Sequence, residues 1–457
     1  MELRQKNIDM TVGNPIKVIV LFTLPLLLGN LFQQLYNIVD SIVVGNFVGD
    51  EALAAVASSG SLINLLIGLV QGITVGAGIV IAQYFGAHDI KKMRSTIHTT
   101  IVFALILGVI LTVVGYFLSQ KLLILMNTDE SVLPMSTKYF KTYFLGCIFT
   151  LMYNAGSSIF RSVGDSKSPL YFLIISSILN VGFDLLFVGV FKFGVIGAGV
   201  ATIVAQAFSM ILTFYKLIMN KTEYQVKFKE LKIDFEALKK IIAYGLPTGI
   251  QNSIISLSNV FVQSNINSFG PFAQAGCGAY SKIEGFATLP SGSFSMALST
   301  YVGQNVGASK TKRALRGGML GLLLSMVVTE ILGCILFIFA PYLIGMFSET
   351  KDVMEIGTRQ AHIIVLFYFL LAFSHGMSGI LRGAGYSKTP MLTMIICWVV
   401  VRITLIPVAL SIPGWNKLET IFWFYPFTWS LSFIVLSIMF IFVYNKKVKT
   451  DIESIAS

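Results

Sequence analysis

The sequence predicts an all-α membrane protein whose twelve transmembrane helices form two pseudo-symmetric six-helix lobes in a parallel repeat. Three observations predict this fold class. Of the 457 residues, 55% are apolar and only 12% are charged, about half the charged share of a soluble domain. Apolar stretches long enough to cross a bilayer recur along the whole chain. The two halves of the sequence also match each other at a nearly constant offset.

Twelve stretches meet the length of about 20 mostly apolar residues that a membrane span needs. They are rich in Leu, Ile, Phe and Gly and show no period-two alternation, which predicts helices rather than barrel strands. The polar residues 1–17 are not followed by a small-residue cleavage site, so the first stretch is predicted to be a membrane helix. The predicted spans are 16–43, 52–82, 95–118, 134–160, 168–190, 195–218, 238–267, 273–303, 314–340, 358–381, 389–411 and 420–444.

The basic residues are distributed unevenly between the two sides of these predicted helices. Assigning the loops alternately to the two sides places 24 of the 33 Lys and Arg residues on one side. By the positive-inside rule, this predicts a multi-pass protein of the inner (cytoplasmic) membrane with both termini in the cytoplasm. The net charge of +11 therefore does not indicate nucleic-acid binding, because no soluble domain carries a basic face.

The internal repeat defines the predicted lobes. The offset is 222 around the first spans and 221 further along the chain. Because each half has an even number of spans, both halves start on the same side and the repeats are parallel. We therefore expect an N-terminal lobe at 1–218, a cytoplasmic linker at 219–237 and a C-terminal lobe at 238–457. The matched pairs are Pro25 with Pro247, Gln83–Ala87 with Gln304–Ala308, and Arg161–Pro169 with Arg382–Pro390.

Two acidic residues lie inside predicted spans of the first half. A charge at this depth costs about 2.5–3.5 kcal/mol and usually faces a cavity or a partner. Asp40 continues a polar helical stripe that begins at Asn30, and Asp184 follows Asn180 by four residues on one helix face. The alternative for Asp40 is a cap at the outer end of the first helix.

These side chains predict a site for a small cation. Two carboxyl groups in one dry lobe repel each other, which favours uptake of a proton by the pair. The same oxygens could instead hold Na⁺, a hard cation, and the sequence does not choose between the two ions. Asn154, Thr202 and Gln206 lie in neighbouring spans and can supply further oxygens. The possible Na⁺ ligands are Asp40, Asn180, Asp184 and Thr202.

The second half has diverged at the positions that carry charge in the first. The counterparts of Asp40 and Asp184 are Val262 and Leu405. The predicted cation site is therefore confined to the first half.

Other intramembrane charges lie in the second half. Lys282 and Glu284 are two residues apart and do not face each other on a helix, so Arg402 is the expected partner of Glu284. A structural charge network and a role in substrate recognition both stay open. Glu330 has no obvious partner. The expected substrate cavity comprises Asn37, Gln34, Asn259, Gln263, Lys282, Glu284 and Arg402.

No motif of a metal enzyme or a nucleotide-driven pump is present in the sequence. The four Cys residues are far apart, and there is no His-Glu-x-x-His, Gly-x-Ser-x-Gly or nucleotide-binding loop. We therefore expect a protein that is not an enzyme and needs no cofactor beyond a coupling ion.

With these residues in view, the sequence resembles the multidrug and toxic compound extrusion (MATE) family over almost its full length. The resemblance rests on Gln83-Tyr-Phe-Gly-Ala87, on its repeat Gln304-Asn-Val-Gly-Ala308, and on Gly164-Asp-Ser-Lys-Ser-Pro169 leading to Asn180 and Asp184. It implies a V-shaped pair of six-helix lobes. It also implies efflux of cationic or amphipathic organic compounds in exchange for H⁺ or Na⁺.

The resemblance also implies roles for individual residues. The coupling acid of similar prokaryotic members matches Asp40, and their first-lobe cation site matches Asn180, Asp184 and Thr202, with Asn154 nearby. Other branches of the family place their acids in spans 7 and 10, which have no carboxylate in the matching positions here. This departure argues for coupling in the first lobe.

A flippase for a lipid-linked oligosaccharide, from the same superfamily, is the alternative function. Such chains usually have extra spans and a strongly cationic cavity, whereas this sequence has only Lys282 and Arg402 as intramembrane cations. The expected partners are small organic cations or amphipathic drugs and the lipid bilayer, with no nucleic acid. The expected oligomeric state is a monomer.

Overall fold

The computed structural model describes residues 8–125, 128–130 and 132–456. Regular structure in these ranges is helical throughout, which confirms the all-α prediction. Short 3₁₀ turns lie at Phe228–Glu230 and Val365–Phe367, and π-helical turns lie at Leu185–Val190 and Ile395–Val400. The α-helices are α1 Pro15–Val48, α2 Asp50–Gly86, α3 Ile90–Leu125, α4 Leu133–Leu145, α5 Cys147–Ser162, α6 Lys167–Asp184, α7 Gly194–Met219, α8 Phe235–Asn267, α9 Pro271–Ala287, α10 Leu289–Gly307, α11 Thr311–Gly345, α12 Lys351–Ile364, α13 Tyr368–Gly383, α14 Lys388–Met394, α15 Val401–Ser411 and α16 Leu418–Ala456.

Each predicted span coincides with one helix or with a broken helix. Within the described ranges, nine helical segments are long and apolar enough to cross a membrane, or ten if α4 and α5, bent by 45°, form one span. The predicted seventh and eighth spans correspond to α8 and to α9 with α10, which are not among them. Helix α8 carries many amide and hydroxyl side chains, α9 has only 17 residues, and α10 contains several Ser and Gly residues. The chain is thus a multi-pass membrane protein, but the number twelve is not confirmed.

The repeat extends to one irregularity of the helices, the break in the fourth and tenth spans, but not to the two π-helical turns, which lie at different repeat positions. The break between α4 and α5 lies at Gly146, and the break between α12 and α13 lies at Val365–Phe367. With the offset of 221, Gly146 corresponds to Phe367. Glu330, which had no obvious partner in the sequence, accepts a hydrogen bond from the Phe369 N–H at 2.8 Å. Its carboxylate therefore caps the first turn of α13, where backbone donors lack partners within the helix.

The chain divides into two compact units. The first unit contains the chain up to Gly249 together with Gly303–Lys310, and the second contains Ile250–Val302 and the chain from Thr311 onward. The first half of α8 and the end of α10 thus belong to the first unit. The second unit is built around large buried aromatic side chains, including Tyr280 and Tyr368.

In the first unit, the ends of α2 and α10 cross at a pair of glycines. A Cβ atom at Gly86 would lie 1.9 Å from the carbonyl oxygen of Gln304, and a Cβ atom at Gly307 would lie 1.9 Å from that of Gln83. Both positions fall in the matched motifs at the offset of 221. Because backbone meets backbone, no side chain can move aside, and glycine is required at both positions.

The segment Ile8–Gly13, here called the strap, lies across the same motif. Met10 is fully buried, its N–H donates to Gln304 Oε1 at 3.1 Å, and its carbonyl oxygen accepts from Asn305 Nδ2 at 3.0 Å. The Lys310 ammonium donates to a backbone carbonyl of the strap at 3.0 Å. These hydrogen bonds satisfy backbone groups of an irregular, turn-forming segment that would otherwise be buried without partners.

Residues 220–234 form a linker segment that docks on α3. The Lys227 N–H donates to His98 Nε2 at 3.1 Å, and Ser95 Oγ donates to Asp234 Oδ2 at 2.6 Å. This segment joins the helices of the first half to α8 and holds the entry to α8 in place.

Asp234 is both a docking residue and the N-cap of α8. Its Oδ1 accepts from the Glu236 N–H at 2.9 Å and the Ala237 N–H at 3.2 Å. The hydrogen bond from Ser95, followed by the one from the Ala237 N–H, lowers the pKa of Asp234 below its ordinary value. A depressed pKa means that the folded protein stabilises the charged carboxylate.

Replacing Asp234 with Ala is expected to lower the free energy of unfolding by about 1 kcal/mol at neutral pH, the usual loss for an N-cap. Because the folded-state pKa is depressed, the charge-dependent stabilisation is present above the ordinary Asp pKa of about 4 and disappears as the pH falls through the lowered value. Thermal unfolding of both purified proteins at neutral and acidic pH measures the difference in stability between wild type and Asp234→Ala. Asp234→Asn keeps a capping oxygen and is the matched control. A stability difference between wild type and Asp234→Ala that stays constant as the pH is lowered would contradict this account.

Candidate functional site

Two acidic side chains from different helices meet in the first unit. Asp40 lies on α1 and Asp184 is the last residue of α6. Helix α1 continues beyond Asp40 to Val48. The interpretation of Asp40 as a cap at the outer end of the first helix is therefore wrong.

The carboxyl groups of Asp40 and Asp184 lie within hydrogen-bonding range of each other. Asp184 is fully buried. Among the described residues, no N–H or O–H group donates to either oxygen of Asp184 or to Oδ1 of Asp40. Buried carboxylates without donors are unfavourable, and two of them in contact also repel each other. A bound cation or proton between them relieves both costs.

A small polar cavity lies between α1, α6 and α7, and two of its wall residues, Tyr36 and Asn180, precede Asp40 and Asp184 by four residues on the same helices. Its volume is about 10 Å³, which is room for roughly one water molecule or one small ion. Three oxygens of its wall, Ser177 Oγ, Asn180 Oδ1 and Gln206 Oε1, are buried and have no hydrogen-bond partner among the described residues. The cavity is lined by Tyr36, Ser176, Ser177, Asn180, Thr202, Ala205 and Gln206.

Local helix geometry leaves these oxygens available. The Thr202 hydroxyl donates its proton to the Ala198 carbonyl at 3.1 Å, so its lone pairs can accept or ligate. The helix widens into the π-helical turn Leu185–Val190 directly after Asp184. Such π turns often occur at functional sites because they change the direction of the side chains on either side.

The structure brings together most of the predicted cation-site residues. Asp40 and Asp184 are in contact, and Asn180 and Thr202 line the adjacent cavity. Asn154 does not line this cavity, and its Nδ2 donates to the Thr150 carbonyl of its own helix at 2.8 Å. Within the part of the chain that the structure describes, no cluster of three or more His, Cys, Asp or Glu side chains is arranged for a metal ion.

Other wall residues were not singled out from the sequence. Tyr36, Ser176 and Ser177 belong to the cavity wall. A consistent signal was available in the spacing of four residues, which places two side chains on one helix face. It links Tyr36 with Asp40, and Ser176 with Asn180.

The expected substrate-cavity residues have different surroundings. Gln34 is half-buried, and Gln263 Nε2 donates to Asn267 Oδ1 at 2.9 Å. Glu284 accepts from the Tyr280 hydroxyl at 3.2 Å. Exposed side chains among them are Asn37, Asn259 and Lys282, whereas Gln263 is half-buried.

The predicted pairing of Arg402 with Glu284 is wrong as a direct contact. No ion pair within 4.0 Å joins the two among the described residues. The Arg402 guanidinium instead donates to Thr428 Oγ1 from Nε at 3.1 Å and from Nη2 at 3.0 Å. Helix rotation turns Arg402 towards α16, which the sequence spacing alone did not indicate.

Comparison with protein families identifies the repeat directly. The MatE family model matches the chain twice, at residues 25–186 and 247–408. The two matches fall one in each half of the sequence, as the internal repeat predicts.

Relatives and solved structures agree with this match. The chain is 31% identical to the "Probable multidrug resistance protein YpnP" of Bacillus subtilis, covering 86% of this chain and 88% of that protein. It is 30% identical to the "Probable multidrug resistance protein YoeA" of Bacillus subtilis, covering 93% and 94%. A solved outward-facing multidrug resistance MATE family transporter of the MOP superfamily has the same fold, with a TM-score of 0.88, 22% identity, and coverage of 95% of this chain and 97% of that chain.

The family resemblance predicted from the sequence motifs is therefore confirmed. Curated relatives at or above 30% identity carry the names of multidrug resistance proteins. The chain belongs to the MATE family, and is a multi-pass membrane transporter rather than an enzyme.

Proposed function

We propose that this protein exports cationic or amphipathic organic compounds across the inner (cytoplasmic) membrane in exchange for H⁺ or Na⁺. The observation that carries this proposal is the close approach of the Asp40 and Asp184 carboxyl groups, in which both oxygens of Asp184 and Oδ1 of Asp40 receive no hydrogen bond from the described residues. The names of the multidrug resistance relatives support the substrate class.

The coupling cation binds at the acidic pair and the adjacent cavity. A proton bridges the two carboxyl groups and removes their repulsion. Alternatively, Na⁺ is ligated by carboxylate and amide oxygens, which suit a hard cation. If the ion is Na⁺, the Thr202 hydroxyl and Asn180 Oδ1 provide neutral oxygen ligands for it.

Exchange follows from linkage between the cation and the drug. Neutralising Asp40 changes the packing of α1 near Pro25, a residue inside that helix. This change lowers the affinity for the drug in the outward-facing state and favours the inward-facing state. Drug binding from the cytoplasm then favours release of the cation, because coupling between two ligands is reciprocal.

The remaining assignments follow from the sequence repeat. Two lobes, 1–218 and 238–457, alternate around a substrate cavity, and the linker 219–237 and both termini lie in the cytoplasm. The substrate contacts that we propose come from Gln34, Asn37, Asn259, Gln263, Lys282 and Glu284, whereas Arg402 is 2% exposed and donates to Thr428 instead. Asn154 acts beside the cation site.

Ethidium transport by purified protein in proteoliposomes tests this function. We expect a proton gradient or a sodium gradient, imposed separately in the absence of the other, to drive ethidium movement against its concentration. The gradient that drives transport identifies the ion.

Empty liposomes and liposomes with both gradients collapsed are the controls. Ethidium movement with neither gradient effective would overturn the antiport proposal. Competition by a lipid-linked oligosaccharide, added at the same membrane density as ethidium, would instead favour the flippase function.

A further inference from the structure

A buried positive charge in the second unit lacks an anionic partner at ion-pair distance. Arg402 is 2% exposed, and the ion pairs of the described residues do not include it. Its Nε and Nη2 both donate to Thr428 Oγ1, whose own proton goes to the Phe424 carbonyl at 2.8 Å. A guanidinium has five N–H donors, so one hydroxyl leaves most of its charge unmatched by hydrogen bonds.

Aromatic ring faces stabilise this charge. The guanidinium carbon lies 4.4 Å from the centroid of the Tyr425 ring and 5.7 Å from that of Trp398. Trp398 is itself held, because its Nε1 donates to Ser432 Oγ at 3.0 Å and its carbonyl accepts from Ser258 Oγ at 3.2 Å. A planar, weakly hydrated guanidinium stacks on the faces of such rings, whereas an ammonium is a compact, strongly hydrated charge that cannot stack. We call the two rings and the Thr428 hydroxyl the guanidinium seat.

Glu284 attracts the positive charge of Arg402 electrostatically but does not form an ion pair with it. It attracts Arg402 through space, while its carboxylate accepts from the Tyr280 hydroxyl at 3.2 Å. The seat is therefore defined by shape and ring faces rather than by a carboxylate contact. Its selectivity is expected to favour flat cations.

The seat lies on the helices that are the repeat counterparts of α6 and α7, although Arg402 itself is not at a position equivalent to Asn180 or Asp184. With the offset of 221, Arg402 lies one residue after the counterpart of Asn180 and three before that of Asp184. In the first half, the polar cavity lies against α6 and α7. In the second half, Arg402 of α15 reaches its seat on α16, and the counterpart of Asp40 is the fully buried Val262.

We propose that Arg402 is a tethered cation, whose guanidinium permanently fills the second-half counterpart of the exchangeable cation site. When the side chain is removed, the seat becomes a binding site for small guanidinium ions. The second half consequently takes up no coupling ion, a conclusion that rests on the proposed antiport. Exchange of ions is then confined to the acidic pair of the first half.

Chemical rescue of Arg402→Ala tests the seat without any transport measurement. We expect this variant to unfold several degrees below the wild-type protein, and methylguanidinium at millimolar concentration to restore much of the difference. Methylammonium at the same concentration and ionic strength should restore little. The wild-type protein is the matched control, because its seat is filled and neither ion should raise its unfolding temperature.

A second pair of variants covers the case in which Arg402→Ala does not fold. Tyr425→Phe keeps a ring face under the guanidinium and is expected to unfold close to the wild-type temperature, whereas Tyr425→Leu removes the face and should unfold at a lower one. Equal unfolding temperatures for these two variants would overturn the proposal. Rescue of Arg402→Ala by methylammonium and methylguanidinium alike would also overturn it.

Transport measurements address the functional half of the inference. In proteoliposomes, Arg402→Ala with methylguanidinium should show the same number of coupling ions per ethidium as the wild-type protein. A changed ratio would mean that the second half also exchanges an ion. Because the unfolding measurements do not depend on transport, failure of the antiport proposal leaves the test of the seat intact.

Discussion

Asp40→Asn is expected to reduce gradient-driven ethidium efflux by about 5–150-fold, the range that corresponds to a coupling free energy of about 1–3 kcal/mol. Asn has nearly the same shape as Asp but does not ionise, so the pair with Asp184 loses its exchangeable charge. Binding of the drug should persist, because the change removes the coupling rather than the cavity. Efflux by proteoliposomes under the effective gradient and equilibrium ethidium binding measure the two properties separately.

The matched control for Asp40→Asn is Asp352→Asn, which makes the same chemical change at an exposed position in the first turn of α12. It should leave efflux unchanged. Asp184→Asn should resemble Asp40→Asn, and the double variant should be little worse than either one, since residues that act as one unit are not additive. Full coupled efflux by folded Asp40→Asn protein would remove the proposed role of the pair.

Gly86→Ala is expected to be the most destabilising of the small changes, by about 3 kcal/mol, the upper end for an overpacked site. Its new Cβ would lie 1.9 Å from the Gln304 carbonyl oxygen, and neither backbone can yield without separating the ends of α2 and α10. Gly307→Ala should have a similar effect, because its Cβ would meet the Gln83 carbonyl oxygen at the same distance. Thermal or chemical unfolding of the purified variants gives the free-energy changes.

Gly278→Ala provides the control for the glycine crossing. Gly278 lies inside α9, and a Cβ atom there would meet nothing within 4 Å. Since Ala favours helix more than Gly by about 1 kcal/mol, this variant should be as stable as the wild-type protein or slightly more stable. Equal free energies of unfolding for Gly86→Ala and Gly278→Ala would contradict the close backbone contact between the ends of α2 and α10.

Residue spacing was sufficient to predict most of the candidate cation site. Asn180 and Asp184 share a face because they are four residues apart, and Asp40 lies on a polar stripe of the first helix. Lipid makes charge unfavourable, so acidic residues inside spans indicate a site even before their neighbours are known. The family resemblance then implied roles in cation coupling for Asp40, Asn180, Asp184 and Thr202.

Contacts between separate helices were harder to predict because they depend on how each helix is rotated about its axis. Arg402 was expected to reach Glu284, but it reaches Thr428, 26 residues further along the chain. Glu330 caps α13 only because the chain breaks into a 3₁₀ turn at Val365–Phe367, and no proline or other clear signal marks that break in the sequence. Helix α8, the predicted seventh span, is too polar to be recognised as a membrane helix by its apolar composition alone.

The strap imposes an order on biosynthesis. Met10 hydrogen-bonds with Gln304 and Asn305, which the ribosome adds 294 and 295 residues later. At about 5–20 residues per second, the nascent strap waits roughly 15–60 s for these partners. During that interval the early helices are already inserted, while the backbone groups of the strap bind water instead of their final partners. Final maturation of the first unit is therefore post-insertional, and its completion reports that translation has passed the second copy of the motif.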